Sequence, residues 1–74
     1  MFETFRQNVK SSLKERGLTY AQLGEKSNLA ESTIKYFMCG ASNSRRVAEK
    51  IADCLGWTLR YENGQYLPEI KEDL

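Results

Sequence analysis

The chain contains no histidine, one proline and two cysteines in 74 residues. Without histidine, the commonest general base and the commonest nitrogen ligand for metals are both missing. No nucleophile–base set can be assembled, so an enzyme is not expected, and no cofactor, metal or small-molecule substrate is implied. Cys39 and Cys54 are too few to staple a miniprotein and lack C-x-x-C spacing. They are expected as reduced thiols that behave as small hydrophobes on or beside apolar faces. Apolar runs last only a handful of residues, far short of the ~20 that span a bilayer. Residues 1–20 carry charges throughout and no apolar stretch of a secretory signal. The expectation is a cytoplasmic protein with no membrane partner.

What is present suits a folded module. Hydrophobic residues make up 41% and charged residues 28%, values of a globular rather than a disordered chain. The length allows one small domain, residues 1–74, which buries only about 60% of the surface of its unfolded chain. The net charge is +1 but is unevenly spread. Residues 1–60 hold ten basic and six acidic side chains, whereas residues 61–74 hold one and four. A basic body with an acidic tail is compatible with a polyanionic partner on one face.

Hydrophobic periodicity predicts four helices. Phe2, Phe5, Val9 and Leu13 recur at spacings of three and four, which places them on one helix face over about residues 2–16. Arg6, Lys10, Lys14, Glu15 and Arg16 fall elsewhere on that wheel. Gly17 follows as a left-handed stop. Thr19-x-x-Gln22 has the form of a capping box and opens a short helix over about 20–26; Leu18, just before the cap, can pack on Leu23. Ser27 and Asn28 interrupt it, asparagine tolerating positive φ. Ile34, Phe37 and Met38 give a third helix, about Glu31–Cys39, a single apolar stripe before Gly40. Residues 41–44 form a polar loop rich in N-cap residues. Val47, Ala48, Ile51, Ala52 and Leu55 make the buried face of a fourth helix, which Gly56 ends.

The period then changes to two. Trp57, Leu59 and Tyr61 alternate with Thr58, Arg60 and Glu62, and Asn63-Gly64 is the signature of a type I′ hairpin turn. A two-residue loop pairs Glu62 with Gln65, Tyr61 with Tyr66, Leu59 with Pro68 and Trp57 with Ile70. One face then carries Trp57, Leu59, Tyr61, Tyr66, Pro68 and Ile70. Pro68 cannot donate to a ladder, so the second strand ends near it or lies at an edge. Residues 71–74 look frayed.

The second and third predicted helices, joined by a short turn inside a small bundle, have the layout of a helix-turn-helix. In that arrangement the second helix protrudes on one apolar stripe, with Glu31, Ser32, Lys35 and Tyr36 pointing away from the core. Gly24 leaves room for the third helix to cross closely.

The stretch Leu18–Gly40, LTYAQLGEKSNLAESTIKYFMCG, resembles the lambda-repressor-like helix-turn-helix family of Cro and C1 type. Leu23, Leu29, Ile34, Phe37 and Gly40 fall on that family's apolar and glycine positions. Phe5–Gly17 resembles its first helix and Val47–Gly56 its fourth, so about residues 2–56 are covered. The chain departs from the pattern at Gly24 (usually alanine), Asn28 (usually glycine) and Ser27 (usually apolar). The hairpin of residues 57–70 is not general to the family.

The resemblance implies a mostly α fold, a four- to five-helix bundle with a C-terminal hairpin, and a sequence-specific regulator of phage, prophage or mobile-element type. Such a regulator occupies a near-palindromic double-stranded DNA operator as a homodimer. Glu31, Ser32, Lys35 and Tyr36 match base-reading positions. A serine can donate or accept, and a carboxylate can accept from cytosine. For Glu31 the plain alternative is complementing a helix dipole, and for Tyr36 it is packing on neighbours. Thr19 and Tyr20, at a helix start, and Asn43, Ser44, Arg45 and Arg46, after the recognition helix, match positions that grip the sugar–phosphate backbone. Trp57, Leu59, Tyr61 and Tyr66 are either intramolecular core or a dimer interface. An antitoxin or a restriction–modification controller would use the same DNA chemistry. A protein-interaction adaptor that uses the aromatic hairpin is the alternative from another class.

Overall fold

A computed structural model describes residues 1–71. They form α1 (Glu3–Arg16), α2 (Tyr20–Ser27), α3 (Glu31–Met38), α4 (Arg45–Leu55), β1 (Trp57–Glu62) and β2 (Gln65–Ile70). The chain is mostly helical, with one antiparallel two-stranded hairpin at the C-terminal end. No helix among the described residues is long and apolar enough to cross a membrane.

Local chemistry explains where α1, α2 and α4 stop. Gly17 and Gly56 adopt left-handed conformations after α1 and α4. Asn28 does the same after α2, at φ 60°. There Asn28 N donates to Glu25 O and Leu29 N donates to Gly24 O, the double bond of a Schellman ending. At the start of α2 the capping box forms in both directions: the Thr19 hydroxyl accepts from Gln22 N at 3.1 Å, and Gln22 Oε1 accepts from Thr19 N at 2.9 Å. Ser44 caps α4 by accepting from Val47 N.

The core is one cluster drawn from all four helices. Phe2, Phe5, Val9, Leu23, Ile34, Phe37, Ala48 and Ile51 are fully buried, with Leu13, Met38, Ala52 and Leu55 almost so. Phe2 reaches it from just ahead of α1, as the N-cap residue rather than from within the helix. Phe2, Phe5 and Phe37 meet edge to face, with centroids 5.4–6.2 Å apart. Each of these rings contributes about 1.5–3 kcal/mol by burial alone.

The hairpin takes the register expected from Asn63-Gly64. Both turn residues have positive φ, and Trp57 faces Ile70, Leu59 faces Pro68 and Tyr61 faces Tyr66. Lys71 N donates to Gly56 O at 2.9 Å, which continues the ladder one pair beyond Trp57–Ile70. Hydrogen-bonded and non-bonded pairs alternate in an antiparallel ladder. Leu59–Pro68 is therefore a non-bonded pair, and the missing N–H of Pro68 would have pointed outward. That is why β2 runs through proline to Ile70 as an edge strand. Tyr66 N, on the same outer side, donates to Met1 O at 2.8 Å.

The reading of residues 71–74 as frayed is corrected for Lys71, whose backbone joins the ladder and whose Nζ lies 3.0 Å from Asp53 Oδ1. Residues 72–74 lie outside the described residues. Glu3 ties α1 to β2, since its Oε1 accepts from Gln65 Nε2 at 2.9 Å. Hydrogen bonds from the N-terminal ammonium and then from Gln65 hold its carboxyl down at about 2.

Gly24 marks a close approach between α2 and the segment leading into α3. A Cβ there would lie 2.6 Å from Leu29 O and 3.4 Å from both Glu31 N and Ile34 Cδ1. Replacing a mid-helix glycine by alanine normally gains about 0.5–1 kcal/mol. A clash with backbone costs more, about 1–3 kcal/mol. Gly24→Ala is therefore expected to lower stability by about 1–2 kcal/mol in urea denaturation, and a midpoint at or above that of the parent would refute the close-packing account.

Candidate nucleic-acid interface

Side chains divide sharply around α3. Ile34, Phe37 and Met38 are buried, whereas Glu31, Ser32, Lys35 and Tyr36 are exposed, Tyr36 to 61%. Glu31 and Lys35 form an i,i+4 ion pair at 2.9 Å. Such a pair between exposed side chains is worth about 0.3–0.5 kcal/mol, so it opens readily to a competing polar partner. Ser32 and Tyr36 line a shallow recess with Thr33 and with Ser42 from the following loop. Thr33 and Ser42 are absent from the sequence-based set. Ser42 is distant from α3 in the helical pattern and reaches the recess only because the loop folds back.

A second group gathers at the start of α2. Thr19 and Tyr20 share a groove with Leu13, Leu18, Lys10 and Lys14. Thr19 is exposed, and its oxygen is occupied as an acceptor by the capping box, so the hydroxyl retains one proton to donate. Tyr20 is half-buried and packs on the core. Lys10 and Lys14 are exposed and take part in no ion pair among the described residues. The helical wheel gave them only as solvent-facing positions. Their spacing of one turn was the available signal.

The third group follows α3. Asn43, Arg45 and Arg46 are exposed, and Ser44 is half-buried as the α4 cap. Arg45 Nε donates to Glu49 Oε1 at 2.9 Å, and its guanidinium carbon sits 5.7 Å from the Tyr66 ring centre. Arg46 has no ion pair among the described residues. Both arginines stand at the positive end of a helix dipole, which is unfavourable without a nearby anion; Glu49 relieves this for Arg45 alone.

The loop is organised by a residue that the sequence pattern treated as solvent-facing. Arg6 is 8% exposed. Its Nε donates to Phe37 O at 2.8 Å, and one terminal nitrogen donates to Ser42 O at 2.7 Å and to Asn43 Oδ1 at 3.0 Å.

Of the hairpin residues, Trp57, Leu59 and Tyr66 are half-buried against the chain's own core. Tyr66 stacks on Phe2 at 4.7 Å and Trp57 meets Phe5 edge-on at 6.2 Å. Tyr61 and Ile70 remain 59% and 79% exposed. No three His, Cys, Asp or Glu side chains gather as a metal site among the described residues. No family model, no curated protein and no solved structure matches the chain.

The expected burial of both cysteines is corrected for Cys39. It caps α3 at the exposed end, where its thiol donates to Tyr36 O at 3.2 Å. The apolar stripe of α3 ends one residue earlier, at Met38, and the turn carries Cys39 outward. Cys54 is half-buried, and desolvation raises its thiol above the ordinary value. The thiolate is the reactive form. Titration of native protein with a thiol-exchange dye at pH 8 is expected to label Cys39 at least several-fold faster than Cys54. Equal rates in Cys39→Ser and Cys54→Ser would contradict the placement.

Proposed function

We propose that the chain is a sequence-specific, double-stranded-DNA-binding transcriptional regulator of lambda-repressor-like, Cro/C1 type, with α2 and α3 as its helix-turn-helix. The observation that carries this reading is the division of α3. One stripe is sunk in the core, and the opposite face offers a hydroxyl, a carboxylate, an ammonium and a phenol to a partner. Ser32, Glu31, Lys35 and Tyr36 read base edges in the major groove. Thr19 and Tyr20 on one side, and Asn43, Ser44, Arg45 and Arg46 on the other, bind phosphates, with Lys10 and Lys14 adding charge beside Tyr20. The regulator represses by occupying an operator that overlaps a promoter. An antitoxin or restriction–modification controller would bind DNA by the same chemistry, and an adjacent toxin or restriction gene distinguishes these roles.

One helix in one groove discriminates weakly, and two placed about 34 Å apart read a near-palindrome. The second copy joins through the hairpin. Since Trp57, Leu59 and Tyr66 already pack on their own core, the contact falls on Tyr61, Ile70 and the outer edge of β1. The same exposed pair, Tyr61 and Ile70, also favours a second reading as a protein-interaction adaptor.

Selection of random duplex DNA on the full chain is expected to yield a near-palindromic site. With roughly six phosphate contacts, the log–log salt slope should be near −5. Arg46→Ala should weaken all sequences alike, whereas Ser32→Ala should change base preference by about 1–3 kcal/mol at one position of each half-site. Duplex binding with no salt dependence, or variants indistinguishable from the parent on the selected site, would sink the reading in favour of the adaptor.

For assembly, sedimentation equilibrium should give a dimer that Tyr61→Arg dissociates, leaving single half-site binding intact. A parent protein that stays monomeric on its operator would exclude the hairpin contact.

A further inference from the structure

We infer that Arg6 is a positioning residue for DNA binding, fixing the loop of residues 41–44, which leads into the phosphate-binding start of α4, against the end of the base-reading helix; the inference rests on the DNA-binding reading above. Arginine is rarely buried unless paired. Here the nearest carboxylate oxygen, Glu3 Oε2, lies 3.8 Å away on a largely exposed side chain. The close partners are neutral: the carbonyls of Phe37 and Ser42 and the amide oxygen of Asn43. The guanidinium also lies over the Phe37 ring, 4.8 Å from its centre, and near that of Phe2 at 5.9 Å.

An apolar side chain of similar volume would avoid the cost of desolvating a cation but would take the donor from Ser42 O and Asn43 Oδ1. What the guanidinium adds is a rigid fork. One donor holds the last turn of α3, and another holds two consecutive residues of the loop. Apart from Arg6, the loop is tied by Ala41 N to Tyr36 O and by Ser44 N to Ser42 Oγ, both at 3.2 Å, and at its far end by Ser44, which accepts from Val47 N and Ala48 N.

Two consequences follow for binding. Because Arg6 takes the Asn43 oxygen, the NH₂ end of that amide is left as the donor, the polarity a phosphate requires. Because Ser42 is held, the recess it shares with Ser32 and Tyr36 keeps its shape. A single residue of α1 thus couples the base-reading group to the backbone-binding group.

The test compares the full-length parent with Arg6→Met, which keeps the volume, and Arg6→Lys, which keeps the charge but not the fork. Circular dichroism identifies which variants fold, and Arg6→Lys serves if Arg6→Met does not. Hydrogen exchange, corrected for global stability, is expected to quicken at Ala41 and Ser44 while α1 and α4 core amides are unchanged. On the operator selected with the parent, affinity should fall about tenfold, the scale of one lost hydrogen bond to a charged group. The salt slope should become shallower by roughly one or two phosphate contacts, and the base preference set by Ser32 should persist. A merely structural arginine would lower the unfolding temperature and leave slope and affinity of the folded fraction unchanged, which overturns the assignment. A parent that binds no duplex overturns the DNA reading itself, and the assignment with it.

Discussion

An eight-residue helix has negligible stability alone in water, so α3 exists because Phe37 is sunk among Phe2 and Phe5. That one anchor, with Ile34 and Met38 on the same stripe, fixes both the presence of the helix and its rotation about its own axis. With three apolar positions committed inward, the remaining side chains face solvent as a geometric consequence. Truncating a buried phenylalanine typically costs about 3–5 kcal/mol, a large part of the margin of so small a fold. Phe2 approaches from the chain end and Tyr66 stacks on it. The first residues, the third helix and the hairpin therefore stand or fall as one packing unit.

Electrostatics on the outward surface is weakly determined by comparison. The pairs Glu31–Lys35 and Arg45–Glu49 are exposed, and such contacts yield at small cost to water, salt or another charged group. The apolar anchor thus sets where the polar groups are, and their loose pairing leaves them available. The α3–α4 loop is the exception, because there a cation has been drawn inside.

Much of this arrangement was legible in the chain because it is encoded locally. Thr19 and Gln22 are three residues apart, Asn63-Gly64 is a dipeptide, and the stripes of α1 and α4 repeat within a few turns. The features that escaped are long-range. Arg6 meets partners 31 to 37 positions away, and a helical wheel classes any arginine as outward. The Met1 contact to Tyr66 and the Lys71 ladder bond are equally non-local. Cys39 departed for a different reason: its burial was expected from the general behaviour of free cysteine, whereas the stripe of α3 ends at Met38 and the turn carries Cys39 outward. For the candidate site, the outward set on α3 followed from the stripe, but the participation of Thr33, Ser42, Lys10 and Lys14 needed the loops and helices in place. The hairpin aromatics could not be divided into inner and outer members from alternation alone, since Tyr61 and Tyr66 share a face and only Tyr66 has Phe2 beneath it.

The two borders of the hairpin are not equivalent. On β2, the proline supplies no outward donor and the Tyr66 amide is already occupied by Met1. This is the kind of blunting that keeps strand edges from recruiting neighbours. On β1, no further strand lies alongside among the described residues. A molecule with one competent border can add a single neighbour through it, and after that pairing nothing remains to extend. Were β1 to pair with a second copy, growth by strand addition would halt at two chains, a closed isologous pair, and an open fibre would require unmaking the contact between the first residue and Tyr66.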